Sequence, residues 1–207
     1  MRWLFVVSLL FLVACIPLDC TTDDCKYDTA LEREDINLCS TIENSAVEKA
    51  CKAEVAIKLE NLNLCQSIDS GYCIATIAEN QDNSELCNLI EGDWKNTCFH
   101  NLAVKLENSD LCRGIENDVL RDECFIELSE ITVNAKPCFS VINRVERDKC
   151  ILSAAVDSTD SNICFEIQDP ITKALCYKSV AVNTGKVKIC DNIQLTMIRN
   201  DCINKLT

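Results

Sequence analysis

Glycine, proline and histidine are scarce in this chain of 207 residues, which has four, three and one of them, and aromatic residues make up only 5%. Low glycine and proline content excludes collagen-like and linker-rich architectures. Few aromatics fit slim helices with tight corners. No cysteines stand in C-x-x-C spacing; the nearest, such as Cys20 and Cys25, are five residues apart. Zinc, iron–sulfur and dithiol redox sites favour such clusters, so no metal or other cofactor is expected. No P-loop, G-x-S-x-G or H-E-x-x-H pattern occurs. His100 has no place in any repeated pattern and reads as a surface histidine beside Phe99. Asp157–Asn162 has the flavour of a calcium loop, but it lacks the glycine at the sixth position and has Gln168 where a bidentate glutamate is needed. The chain is therefore not expected to be an enzyme. Basic residues are outnumbered, giving a net charge of −13, which argues against nucleic acid and against lying flat on anionic lipid. No Asn-x-Ser/Thr sequon is present.

What the chain has in abundance is cysteine, 17 in all. From Cys25 onward the steps alternate. One kind is always fourteen residues (25–39, 51–65, 73–87, 98–112, 124–138, 150–164, 176–190). The other is eight, eleven or, most often, twelve, so the period is 26 with two deletions. Such a period signals stacked repeats sharing one core. Apolar residues follow in phase. Ile42, Ile68, Ile90, Ile115, Val141, Ile167 and Ile193 come three residues after the first cysteine of each shorter step. Val55, Ile77, Leu102, Leu128, Ala154 and Val180 come four after the second, followed directly by Ala56, Ala78, Ala103, Ser129, Ala155 and Ala181. These spacings mark helix faces, so each unit reads as a longer and a shorter helix. The expected fold is an all-α, disulfide-stapled helical-hairpin solenoid with a period of about 26 residues.

Pairing follows from where the turns lie. Residues equidistant from a turn meet in antiparallel helices. Most midpoints of the shorter steps fall at or beside turn and cap residues, at Asn44-Ser45, Ser70-Gly71, Gly92-Asp93, Asn117-Asp118 and Asp169-Pro170, and one falls at Arg144. Ser45-Ala-Val-Glu48 has the form of a capping box. The midpoint of Cys124 and Cys138 is Ile131, inside a helical stretch. The expected bridges are Cys20–Cys25, Cys39–Cys51, Cys65–Cys73, Cys87–Cys98, Cys112–Cys124, Cys138–Cys150, Cys164–Cys176 and Cys190–Cys202. They use every cysteine except Cys15, and each closed loop of about a dozen residues contributes roughly 3 kcal/mol in the chain-entropy model.

Residues 1–14 read as a signal peptide: one basic residue, then an apolar stretch too short to span a membrane comfortably. Leu12-Val-Ala-Cys15 resembles the lipobox of prokaryotic lipoproteins. That resemblance implies cleavage before Cys15 and acylation of its thiol. Residues 15–24 would then form a lipid-anchored acidic neck, and residues 25–207 a single cysteine-rich repeat domain. So many cysteines require an oxidising compartment. The repeats are similar in plan to disulfide-stapled helical hairpins of the tetratricopeptide-like superfamily, although those units run near 34 residues with a Trp, Leu-Gly, Tyr pattern that is absent here. The resemblance implies an extracytoplasmic protein, held at the membrane by its lipid, that binds another protein or an envelope polymer. A structural spacer without a specific ligand is the alternative; an envelope enzyme is the third. A basic residue recurs three places before the second cysteine of each of the last five bridges: Lys95, Arg121, Arg147, Lys173 and Arg199. In a solenoid these form a row that could bind an anion, or that simply pairs with local carboxylates such as Glu91 and Glu116.

Overall fold

The computed structural model describes residues 20–207. The leader, Cys15 and the first part of the neck lie outside the described residues. Within them the chain is all-α and carries no strand. The α-helices are α1 (Asp23–Arg33), α2 (Ile36–Cys39), α3 (Ser45–Lys58), α4 (Leu62–Ser67), α5 (Gly71–Asn80), α6 (Asp93–Lys105), α7 (Asp118–Thr132), α8 (Arg144–Asp157), α9 (Pro170–Thr184) and α10 (Thr196–Asn204). Each long helix packs against the one before it and the one after it.

The short elements differ from a simple helix pair. Only α2 and α4 are α-helical. From the third repeat on, the short arm is a 3-10 segment: Ser84–Leu89, Ser109–Gly114, Pro137–Ser140, Ile163–Glu166 and Val187–Asn192. A run of four to six residues makes few i→i+4 bonds, and the tighter 3-10 turn is a common form for so short a piece.

The boundary between long and short arms is the most regular feature. Nine residues after each long-helix cysteine the backbone turns left-handed, at Glu34, Glu60, Asp82, Glu107, Val133, Thr159 and Gly185. The next residue's N–H then returns to the carbonyl of Ala30, Ala56, Ala78, Ala103, Ser129, Ala155 or Ala181. This closure satisfies a carbonyl that the helix end would otherwise leave open. It also accounts for the small-residue column, whose members are buried where consecutive arms approach closely. The residue after the left-handed one is Asp35, Asn61, Asn83, Asn108, Asn134 or Asp160, and its side chain accepts an N–H of the short arm. One residue pair thus ends one element and starts the next.

Seven disulfides run through the core, Cys39–Cys51, Cys65–Cys73, Cys87–Cys98, Cys112–Cys124, Cys138–Cys150, Cys164–Cys176 and Cys190–Cys202, and an eighth, Cys20–Cys25, is half-exposed at the start of α1. The seven tie a short arm to the next long helix, with Cα atoms 5.5 to 5.9 Å apart. Around the sulfurs the buried side chains form three consecutive clusters, not one central core. Ile77, Leu102, Ile115, Leu128, Ile167, Val180 and Ile193 are among those sealed from solvent. A 26-residue unit buries too little alone, so stacking and stapling share the stabilisation. The cap of α3 is Asn44, whose side chain accepts from Ala46 and Val47. It lies one residue before the Ser45 expected from the capping-box pattern, and Glu48 pairs with Lys52 instead of reaching back. Asparagine one position earlier takes the Ala46 and Val47 N–H groups, and the Glu48 N–H bonds the Asn44 carbonyl, so Ser45 has no capping role to fill.

Candidate functional site

Consecutive repeats are tied by polar contacts at both ends of the long helices. Two residues before the long-helix cysteine, Asp23 accepts the backbone N–H groups of Glu43 and Asn44, both at 3.0 Å. Asp122 does the same for Ile142 (2.8 Å) and Asn143 (2.9 Å). Asp148 takes Gln168 (3.2 Å) and Asp169 (2.8 Å). Asn96, with one amide oxygen, takes Glu116 alone at 2.8 Å. The two N–H groups belong to the turn that enters the next long helix, a place where backbone donors have no intrahelical partner. Asp122 and Asp148 are buried, so these bonds are made away from water. At the far end, Lys58 donates to Leu31, Lys105 to Glu79 and Asn183 to Val156, each to a carbonyl in the last turns of the preceding long helix.

The pattern breaks in three repeats. Lys49 stands at the clamp position in the second repeat and donates to the Asp69 carbonyl. Gly71 stands there in the third, with Trp94 packed so close that a Cβ would lie 2.8 Å from the tryptophan's own. Ala174 stands there before α10.

The basic row divides. Lys95 pairs with Glu116 of the next turn. Arg121 pairs with Asp118 and donates to the Ile115 carbonyl. These are not the pairings anticipated with Glu91 and Glu116: Lys95 leans along the solenoid to the following turn, and Arg121 reaches back to the first turn of its own helix. Arg147 Nε lies 3.8 Å from Asp148, and its Nη2 is buried with no hydrogen-bond partner. Lys173 has no carboxylate partner among the described residues; its ammonium sits 4.9 Å from the centre of the Phe165 ring. Arg199 has no ion-pair partner among the described residues. The row is therefore neutralised at its start and uncompensated at its end. His100 lies on α6 and bonds Glu127 of α7 at 2.9 Å, another contact between repeats.

Sequence reasoning missed an apolar row. Five residues before the long-helix cysteine, Val119, Val145, Ile171 and Met197 recur at steps of 26 and are 66, 60, 58 and 86% exposed. Phe139 and Phe165, on successive short arms, are also exposed, the latter at 71%. Charge is uneven along the chain as well. Residues 20–112 carry eighteen acidic and seven basic side chains; residues 113–207 carry fourteen and twelve. The apolar row lies wholly in the half where charge is nearly balanced. Its signal in the sequence is the recurrence of a large apolar residue at one further phase of the 26-residue period.

Three carboxylates have perturbed acidity. The N–H groups of Glu43 and Asn44 hold the Asp23 carboxyl below its ordinary value. The Thr172 N–H and hydroxyl do the same for Asp169, and a hydrogen bond from Lys178 does so for Asp201. Stabilisation of the charged form by donors is the cause in each. Burial pushes the Tyr177 hydroxyl up. Among the described residues, no cluster of three or more histidine, cysteine or acidic side chains is placed to hold a metal ion. No helix among them is long and apolar enough to cross a membrane.

Comparison with protein-family models, with curated proteins and with solved structures returns no match. The class of the protein therefore rests on its own architecture, an all-α, cysteine-rich repeat protein with eight regularly spaced disulfides. The disulfides suit an oxidising, extracytoplasmic environment.

Proposed function

We propose that this chain is a non-enzymatic, lipid-anchored extracytoplasmic repeat protein that offers an extended surface to another protein or an envelope polymer. The carrying observation is the exposed apolar row of Val119, Val145, Ile171 and Met197, in phase over four repeats and flanked by Phe139 and Phe165. Soluble surfaces scatter single apolar residues; a row at the repeat period makes a continuous strip of the kind partners bury. A spacer without a ligand would have no use for it, and the acidic first half shows that the same scaffold is also built without such a row. The lipobox-like Leu12-Val-Ala-Cys15 supports the anchor. The helical-hairpin plan resembles tetratricopeptide-like binding scaffolds, whose stacked units form such surfaces. The test is a pull-down from native envelope with wild-type bait and with a Val145→Glu/Ile171→Glu bait of equal thermal stability. Partners retained by the first and lost by the second support the reading. Identical captures by both, or none by either, contradict it.

A further inference from the structure

The exposed apolar row has a symmetry of its own. Val119, Val145, Ile171 and Met197 belong to four successive repeats. Earlier repeats hold Ala46, the partly buried Ile68 and Asp93 at the same phase. On each short arm, the residue after the first cysteine of the bridge is exposed as well. In the two middle repeats it is Phe139 and Phe165; in the two outer ones it is Arg113 and Asp191. The patch is therefore most apolar at its centre and carries opposite charges at its two ends. Two hollows follow it, of about 380 and 340 Å³. The first lies between Val145 and Pro170, the second between Phe165 and Leu195, and Gln168 and Pro170 border both. Fourteen of the nineteen exposed large apolar side chains of the described residues fall in residues 113–207. That half nets only −2, from fourteen acidic and twelve basic side chains, against −11 for residues 20–112, from eighteen and seven. Apolar surface thus gathers where two copies of the chain repel each other least.

We infer that a second copy of this chain docks on the row, in an antiparallel two-fold pair that overlaps through residues 113–207. A two-fold contact needs a patch that is complementary to itself. Turned onto its own copy about the midpoint between Val145 and Ile171, this patch sets Val145 against Ile171, Val119 against Met197 and Phe139 against Phe165. It also brings Arg113 of each copy opposite Asp191 of the other. A small side chain meets a larger one at every step of the row, and each end meets the opposite charge. Within its own chain Arg113 pairs only with Asp110, in an exposed contact that is worth little. A parallel pair would set Met197 against Met197 and hold the two acidic halves side by side; the antiparallel pair lets those halves leave at opposite ends. The area is sufficient. At about 200 Å² for a fully exposed large side chain, the six apolar side chains offer roughly 700 Å², near the about 800 Å² per partner of a standard interface. The inference rests on the reading of the row as a binding surface, and it names the partner.

The test is sedimentation equilibrium of the mature, oxidised protein in density-matched nonionic detergent, with variants matched to wild type in melting temperature. Wild type is expected to form a dimer with micromolar Kd and nothing larger. Val145→Glu/Ile171→Glu should weaken pairing at least tenfold; association through a lipid would survive that change. Leu89→Glu, at an exposed apolar position outside the row, should leave pairing as it is. At low salt Arg113→Asp or Asp191→Arg alone sets like charges together at both ends and should weaken pairing several-fold. The double variant restores opposite charges and should pair within twofold of wild type, and in about 1 M salt the single effects should shrink. A wild type that stays monomeric at about 0.1 mM, open-ended growth beyond the dimer, or unchanged pairing in Val145→Glu/Ile171→Glu overturns the inference. No loss in the single charge variants, or no recovery in the double, overturns the antiparallel arrangement. A monomeric wild type whose captured partner is lost by the Val145→Glu/Ile171→Glu bait removes the second copy and keeps the binding surface. A dimer with no other protein or polymer captured keeps the second copy and removes the wider reading.

Discussion

The carboxylate of Asp122 lies 2.9 Å from the backbone nitrogen of Asn143, and the side chain of Asn143 in turn caps α8 through Val145 and Glu146. One residue of α7 thus fixes the turn that fixes the start of α8. The same relay runs from Asp23 through Asn44 to α3, and from Asp148 through Asp169 to α9. Apolar stacking is non-directional; these bonds set the register of each repeat on the last.

The relay makes the clamp a stability determinant. Asp122→Ala leaves two N–H groups without a protein acceptor and should lower stability by about 1–3 kcal/mol. Asp122→Asn should cost less, since Asn96 holds one N–H with an amide oxygen. Urea denaturation midpoints compare the three chains. Equal stability of Asp122→Ala and wild type would count against the clamp.

Val133 ends α7 at φ 49°, a left-handed conformation that β-branched residues adopt at a cost; Gly185 holds the same position after α9 at φ 68°. The left-handed region costs an L-residue about 1–2 kcal/mol, and glycine adds roughly 0.5–1 kcal/mol of unfolded-state entropy. Val133→Gly should therefore stabilise by about 0.5–1 kcal/mol. Gly185→Val should destabilise although a Cβ there meets nothing within 4 Å. Thermal melts of the two variants should move in opposite directions.

Asp23, Asp169 and Asp201 have carboxyls held below their ordinary value by donors. A carboxylate with a depressed folded pKa contributes stability that is fully present above its unfolded value, about 3.9, and is lost as pH falls through the folded value. Stability should be flat near neutrality and fall below about pH 4. The Asp23→Asn/Asp169→Asn/Asp201→Asn variant should show a shallower fall, read from denaturation midpoints across acid pH. An identical acid profile would remove these three groups from the account.

Much of the architecture was legible because its signals are strictly in phase. The all-α class follows from the Ile42-to-Ile193 and Val55-to-Val180 columns, which are buried as their spacing implied except for the partly buried Ile68. Other features were not legible for physical reasons. The clamp column reads Asp23, Lys49, Gly71, Asn96, Asp122, Asp148 and Ala174, and such mixed chemistry hides a common role until two backbone N–H groups appear beside it. Helical periodicity over four to six residues cannot separate an α-helix from a 3-10 turn, so the sequence places the short helices without setting their type. The left-handed position is occupied by Glu, Asp, Val and Thr in six of seven repeats, which conceals a conformation normally flagged by glycine. The partners of Lys95 and Arg121 depended on side-chain lean, which spacing alone does not set.

Acylation of Cys15 is the claim that ties the repeat domain to a membrane. Mass spectrometry of the native protein should find Cys15 at the mature N-terminus carrying lipid. An unmodified N-terminus elsewhere, or a retained leader, would contradict the anchor.

Each bridge closes a local loop, so damage should stay local. Replacing both Cys112 and Cys124 by Ala should cost on the order of 3 kcal/mol. Hydrogen exchange should accelerate in α7 and its neighbours before α1, α2 and α10, because repeats couple chiefly to adjacent repeats. Uniform acceleration from α1 to α10 would instead indicate a single cooperative globule.

The most direct test of the stapled-repeat architecture is non-reducing peptide mapping of the native protein. The account predicts links from each short arm to the next long helix, such as Cys112–Cys124, Cys138–Cys150 and Cys164–Cys176. A map dominated by links across the fourteen-residue steps, such as Cys124 to Cys138, would contradict the bridges, the turns between them and the stacking built on both.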